Sequence, residues 1–223
     1  MRGLKFLFKG WARWKWSIVL TAVLFVGVLV LCCCVKEKLG HKEYLMAAAF
    51  LPVAYCTVLI MGTIISFSNI TGNKLMLSSP IAKELYTVSV PMFIIVLTLG
   101  SMIAANGTYF IVLAAQGASA EYYSDAFVFM AIGGGLNILT TSLFSRVMFG
   151  GMLGLYVNLM PYMGFILTLN EHTKRFGFGL PLQVSVLIFA GVIAAATAAS
   201  FVINRAFFRK LNFKQPAAAY AAR

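Results

Sequence analysis

Apolar runs of membrane-spanning length follow one another from residue 17 to residue 204, and no acidic or basic residue falls well inside a span. That feature excludes most folds. A soluble domain carries roughly 25% charged residues, whereas this chain is 61% hydrophobic and 11% charged. A water-facing surface cannot be made from it. The runs are too long and too uniformly apolar for the short alternating strands of a membrane barrel. The expected class is an all-α integral membrane protein.

Six spans fit: 17–35, 44–67, one within 88–120, two sharing 126–169, and 180–204. The 88–120 run exceeds the ~20 residues a bilayer needs. It must tilt, extend beyond the membrane, or break near Asn106-Gly107. The shared run is interrupted only by Arg146, so a tight turn is expected around Ser145-Arg146. The organisation is then a segment 1–16, a six-helix domain 17–204 with a polar break at about 74–87, and a basic tail 205–223.

The net charge of +12 would suggest nucleic acid in a soluble protein. Here the basic residues flank apolar runs, which points to anionic lipid and to membrane orientation; no nucleic-acid-binding pattern occurs. With the N-terminus inside, thirteen basic residues face the cytoplasm and five face outward. The rule that cytoplasmic loops are the more positive places both termini and the 74–87 break in the cytoplasm. The expected location is the plasma membrane.

Residues 2–16 form an interfacial amphipathic helix in this reading. Arg2, Lys5, Lys9 and Arg13 share one face at about 100° per residue, and Leu4, Leu7, Trp11 and Trp14 share the other. The charged region of a signal peptide is the alternative, but no small-residue cleavage site follows. Cys32, Cys33, Cys34 and Cys56 lack zinc-site spacing and read as apolar filler. His41 and His172 fall in outside loops with too few companions for a metal site. Glu121 and Asp125 read as solvated loop acids. The glycosylation patterns at Asn69 and Asn106 fall on the wrong side of, or inside, the membrane.

The break itself reads Leu77-Ser78-Ser79-Pro80-Ile81-Ala82-Lys83-Glu84-Leu85. Ser79 suits an N-cap and Pro80 the first helical position, where a missing N–H costs nothing. Ile81 and Leu85 then share a face, with Lys83 and Glu84 elsewhere. Pro91 is placed to kink the chain or restart it into the third span. An ordinary loop with one helical turn is the alternative. No ATP-binding loop occurs in the chain, so ATP-driven transport would need the ATPase on another polypeptide.

The chain resembles the membrane subunits of the type 2 ABC exporter permeases. The resemblance rests on the six-span layout, the N-terminal interfacial helix and Pro80-Ile81, Lys83 and Glu84-Leu85 at the break. Ser79 replaces the family's usual Leu, Ala82 replaces a common basic residue, and the 170–179 connection is short where the family has a re-entrant element. The resemblance implies that Ser79, Pro80, Ile81, Lys83, Glu84 and Leu85 form a coupling helix seated in a cleft of an ABC ATPase subunit. It also implies two ATPase copies, a second permease copy or homologue, and ATP and Mg held by the partner, with no cofactor in this chain.

Asn106, Gln116, Asn137, Asn158 and Gln183 are the polar candidates for lining a pathway; helix–helix hydrogen bonds are the alternative role for each. Gly133-Gly134-Gly135, Gly150 with Gly154, and the stripe Ala190, Ala194 and Ala198 permit close helix packing. No catalytic set or metal cluster is apparent. An exporter permease moving a peptide or other amphipathic molecule is the leading expectation. An ATPase-independent secondary transporter or channel comes second, disfavoured by the absence of ionisable groups at membrane depth. A membrane-embedded enzyme comes third.

Overall fold

The computed structural model describes residues 2–13, 19, 80–144, 157, 160 and 178–210. These are all-helical where they are regular, with no strand among the described residues. Four elements organise them. Helix α1 is Arg2–Arg13. Helix α2 is Ala82–Ala115, α3 is Ala120–Phe144 and α4 is Leu182–Lys210. Three of them, α2, α3 and α4, are long and apolar enough to cross a membrane. The expected spans 17–35 and 44–67, the turn at Ser145-Arg146 and the fifth span lie outside the described residues.

Helix α2 corrects two expectations. The 80s do not form a separate short helix, and Asn106-Gly107 does not break the span. Pro80 and Ile81 form a turn, Ile81 takes the N-cap position without a side-chain cap, and the helix runs on unbroken from Ala82 to Ala115. Ser79 lies outside the described residues. Pro91 does not interrupt the helix. It sits at the start of the α-helical part, Val90–Ala115, directly after one wide π-helical stretch, Leu85–Ser89. A proline ring inside a helix meets the carbonyl four residues back, here that of Thr87. The wide turn contains Thr87 and opens the backbone there. Within it the Thr87 hydroxyl donates to the Lys83 carbonyl at 2.7 Å.

The helix ends where Gly117 adopts a left-handed conformation, φ +62°. Ala118 N–H then reaches the Leu113 carbonyl at 3.0 Å and Gly117 N–H reaches that of Ala114 at 3.2 Å. This paired arrangement satisfies carbonyls a helix end leaves open. Helix α3 starts three residues later, so α2 and α3 form an antiparallel hairpin.

Contacts along the helices fix their directions. Phe110 of α2 meets Tyr123 and Phe127 of α3, at centroid distances of 5.5 and 5.3 Å. Further along, Asn137 meets Thr98. Ser124 and Ser142 of α3 meet Ser185 and Ser200 of α4, so those two helices run parallel. An apolar centre of Ile95, Ile138, Ile193 and Ala196 joins all three. The glycines of α3 permit this closeness, as their sequence suggests. A Cβ on Gly134 would lie 2.7 Å from Met102 Sδ and 2.8 Å from Ile193 Cδ1, and one on Gly135 would lie 2.8 Å from Val192 Cγ1.

The inward stripe of α4 is Ser185, Ile193, Ala196, Ser200 and Asn204. The expected small-residue stripe, Ala190, Ala194 and Ala198, faces outward instead. Both stripes have helical spacing, and the hydroxyl pairs decide which one turns toward α3.

Candidate functional site

The first turns of α2 and the last turns of α4 pass beyond the described end of α3. Asn137 lies opposite Thr98, so the end of α3 at residue 144 comes level with about residue 91 in an antiparallel pair, leaving roughly two and a half turns of α2 beyond it. There Tyr86 stacks on Phe208 of α4 at 6.1 Å. Helix α1 covers the same place. Leu7 joins Ala82, Leu85, Tyr86, Val90, Phe93 and Ile94 in one apolar cluster, with Leu4, Phe8 and Phe208 packed on it. Phe8 meets Phe93 edge-on at 4.9 Å.

Two consequences concern the coupling segment. Its outward side consists of exposed Pro80 and Lys83 beside half-buried Ile81 and Glu84. Its inward side is Leu85, which is 0% exposed and belongs to this chain's own core. Leu85 therefore cannot enter a partner's cleft while the segment keeps this packing, and the expected gripping pair of Ile81 and Leu85 is reduced to Ile81. The burial also redefines α1. Lys5 and Lys9 are exposed as expected for an interfacial helix, but Leu7, assigned to the lipid, is buried against α2. The side chains of Trp11 and Trp14 lie outside the described residues.

The four described candidates for lining a pathway occupy different settings. Asn137 is buried between helices; its amide nitrogen donates to Thr98 Oγ1 at 3.0 Å and its Oδ1 accepts from Thr141 Oγ1 at 3.2 Å. Asn106 is also buried, and its amide nitrogen donates to the Met102 carbonyl of its own helix at 3.1 Å. Gln116 is half-buried at the end of α2, and Gln183 is exposed in the first turn of α4. Asn158 lies outside the described residues.

A polar seam between α3 and α4 was not legible in advance. Ser142 and Ser200 hydroxyls lie 2.6 Å apart, as do those of Ser124 and Ser185; Ser124 also donates to the Leu180 carbonyl at 2.7 Å. Beside them Asp125 overturns the expectation of a solvated acid. It is 2% exposed, and its Oδ1 accepts from the backbone N–H of Phe178 at 2.8 Å. The only advance signal was a run of hydroxyl residues within apolar sequence, which does not reveal partners some sixty residues away.

Among the described residues no group of three His, Cys, Asp or Glu side chains could hold a metal ion. Comparison with protein-family models, curated proteins and solved structures yields no match. Among its described residues the chain is all-helical where regular, with three candidate membrane-crossing helices.

Proposed function

We propose that this chain is the permease subunit of an ATP-driven exporter and that Pro80–Ser89 receives the push of a separate ATPase. The observation that carries this reading is the continuity of α2. A segment with exposed Pro80 and Lys83 stands beyond the bundle and is the same unbroken helix as the span. Helix α1 and Phe208 brace it from the side. A force applied at Lys83 enters the helix that goes on to span the membrane, through the wide Leu85–Ser89 turn that α1 covers. By the resemblance, the ATPase is present in two copies, and it holds the ATP and Mg. A second permease copy or homologue completes the pathway.

The described contacts support six crossings with both termini in the cytoplasm. Helix α1 and the start of α2 share one end of the bundle, which requires an even number of crossings between them. Helix α3 ends opposite to where α4 begins, which requires an odd number there. The two apolar runs before residue 74 and the one around residues 147–169 meet both conditions. Basic asymmetry assigns the shared end to the cytoplasm.

One observation favours the second reading, a carrier without an ATPase: Asp125 is an ionisable group buried in a spanning helix, a common mark of ion coupling. Its engagement with the Phe178 N–H gives it a latching role that needs no titration.

The test uses Lys83→Cys carrying a thiol-reactive photo-cross-linker in native membranes, with Ala195→Cys on the outward face of α4 as the comparison. The expected product is a cross-link from position 83, and not from 195, to a chain that labels with a photoreactive ATP analogue. Labelling from neither position, with the permease intact, contradicts the proposal.

A further inference from the structure

Helix α1 has two faces with different occupants. Gly3 and Leu7 are buried on the start of α2, while Lys5 and Lys9 are exposed with Phe6 between them in sequence. We propose that α1 is a lever read by anionic phospholipid: headgroups held by Lys5 and Lys9 set how firmly the helix docks on the Leu85–Ser89 turn.

Three observations place the lever. First, depth: α2 has 34 residues, or about 51 Å at ~1.5 Å per residue, against a hydrocarbon core of ~30 Å. Its first turns therefore reach the headgroup region or beyond, and α1 lies against them. Second, charge: exposed Lys83 and Arg205 occupy the same end of the bundle, each one turn from the Tyr86–Phe208 stack. Glu84, half-buried, is the acidic residue at that end among the described residues. Docking α1 therefore brings exposed Lys5 and Lys9 to the end of the bundle that carries exposed Lys83 and Arg205. Anionic headgroups are attracted to each cation, so they favour the arrangement that collects them at one end. Third, contact: α1 touches the wide turn itself. A Cβ on Gly3 would lie 2.6 Å from Ser89 Oγ and 3.2 Å from Leu85 Cδ1.

Linkage follows. Headgroups that bind the docked arrangement more tightly must tighten docking by the same factor. The output is the order of the Leu85–Ser89 turn, whose π geometry is intrinsically less favourable than the α-helix beyond it. This inference concerns regulation of the segment assigned above to coupling, but it stands without an ATPase.

The experiment reconstitutes the full chain in vesicles of phosphatidylcholine alone or mixed with phosphatidylglycerol, with no ATPase present. Hydrogen exchange is read at Leu85–Val90 and, as an internal reference, at Asn137–Ser142. Phosphatidylglycerol is expected to slow exchange at Leu85–Val90 about fivefold or more, in the usual range for coupled sites, and to leave the reference unchanged. The slowing should vanish in the double variant Lys5→Gln with Lys9→Gln and at high ionic strength. Gly3→Leu should exchange rapidly in both lipids. Equal exchange of the wild type in the two lipids overturns the proposal. So does a lipid effect that survives the double substitution or Gly3→Leu.

Discussion

Gly3 and Ser89 approach so closely that a Cβ on the glycine would stand 2.6 Å from the serine hydroxyl oxygen. The N-terminal helix thus rests directly on the wide turn that begins the α2 span. Gly3→Leu should lift it off. Overpacking of this kind typically costs about 1–3 kcal/mol, and the loss should stay local because the close neighbours of Gly3, Ser89 and Leu85, both belong to α2. Limited proteolysis within Arg2–Arg13 should accelerate while the thermal midpoint in detergent barely moves.

Gly134 lies where three helices meet, but its nearest neighbours are side-chain ends, Met102 Sδ and Ile193 Cδ1. Met102 is flexible and can yield. Gly134→Ala should therefore cost about 1 kcal/mol, and Gly134→Leu about 3 kcal/mol or misfold. Adding Met102→Ala to Gly134→Ala should recover part of the loss. Unfolding in mixed detergent checks the order of the three variants.

The Asn137–Thr98 bond spans α2 and α3 inside the bundle. Hydrogen bonds between membrane helices are worth about 0.6 kcal/mol on average and up to about 1.7. A double-mutant cycle of Asn137→Leu and Thr98→Val should return a coupling energy within that range. Coupling near zero, with altered transport selectivity in Asn137→Leu, would instead assign Asn137 to the pathway.

Asp125 holds the Phe178 N–H, 53 residues away in sequence. Asp125→Asn keeps an acceptor oxygen and should preserve this latch and transport. Asp125→Ala should free the residues leading into α4, raising the labelling rate of a cysteine placed at Phe178. Transport abolished by Asp125→Asn, with the latch intact, would favour the proton-coupled carrier.

Apolar run length foretold helices in the membrane class, and charge phase foretold that Lys5 and Lys9 would point outward. What escaped the sequence is what partners decide. Leu85 and Ile81 share one helical face in projection, yet α1 covers only Leu85 fully. Asp125 resembled a loop acid because its partner Phe178 is remote along the chain. Pro91 promised a break because a proline penalises a regular α-helix; the wide turn before it removes the reason for one. On α4, Ala190, Ala194 and Ala198 matched a packing stripe, but the hydroxyls of Ser185 and Ser200 fix the rotation of that helix.

Leu85 and Ile81 should also part company in mutants. Leu85→Ala empties a buried site in this chain's own core and should cost about 2–5 kcal/mol of stability. Ile81→Glu alters a half-buried residue on the outward side of the segment and should leave the melting temperature nearly unchanged.

The central claim, that this outward side grips an ATPase, is tested most directly by Mg-dependent ATP hydrolysis that co-purifies with the full chain from its native membranes. Wild type is expected to carry that activity. The double variant Ile81→Glu with Lys83→Glu should lose most of it, since removing an interface anchor costs about 2 kcal/mol or more, roughly thirtyfold in affinity. Transport by purified wild type with no ATPase present, or hydrolysis retained in full by the double variant, would contradict the account.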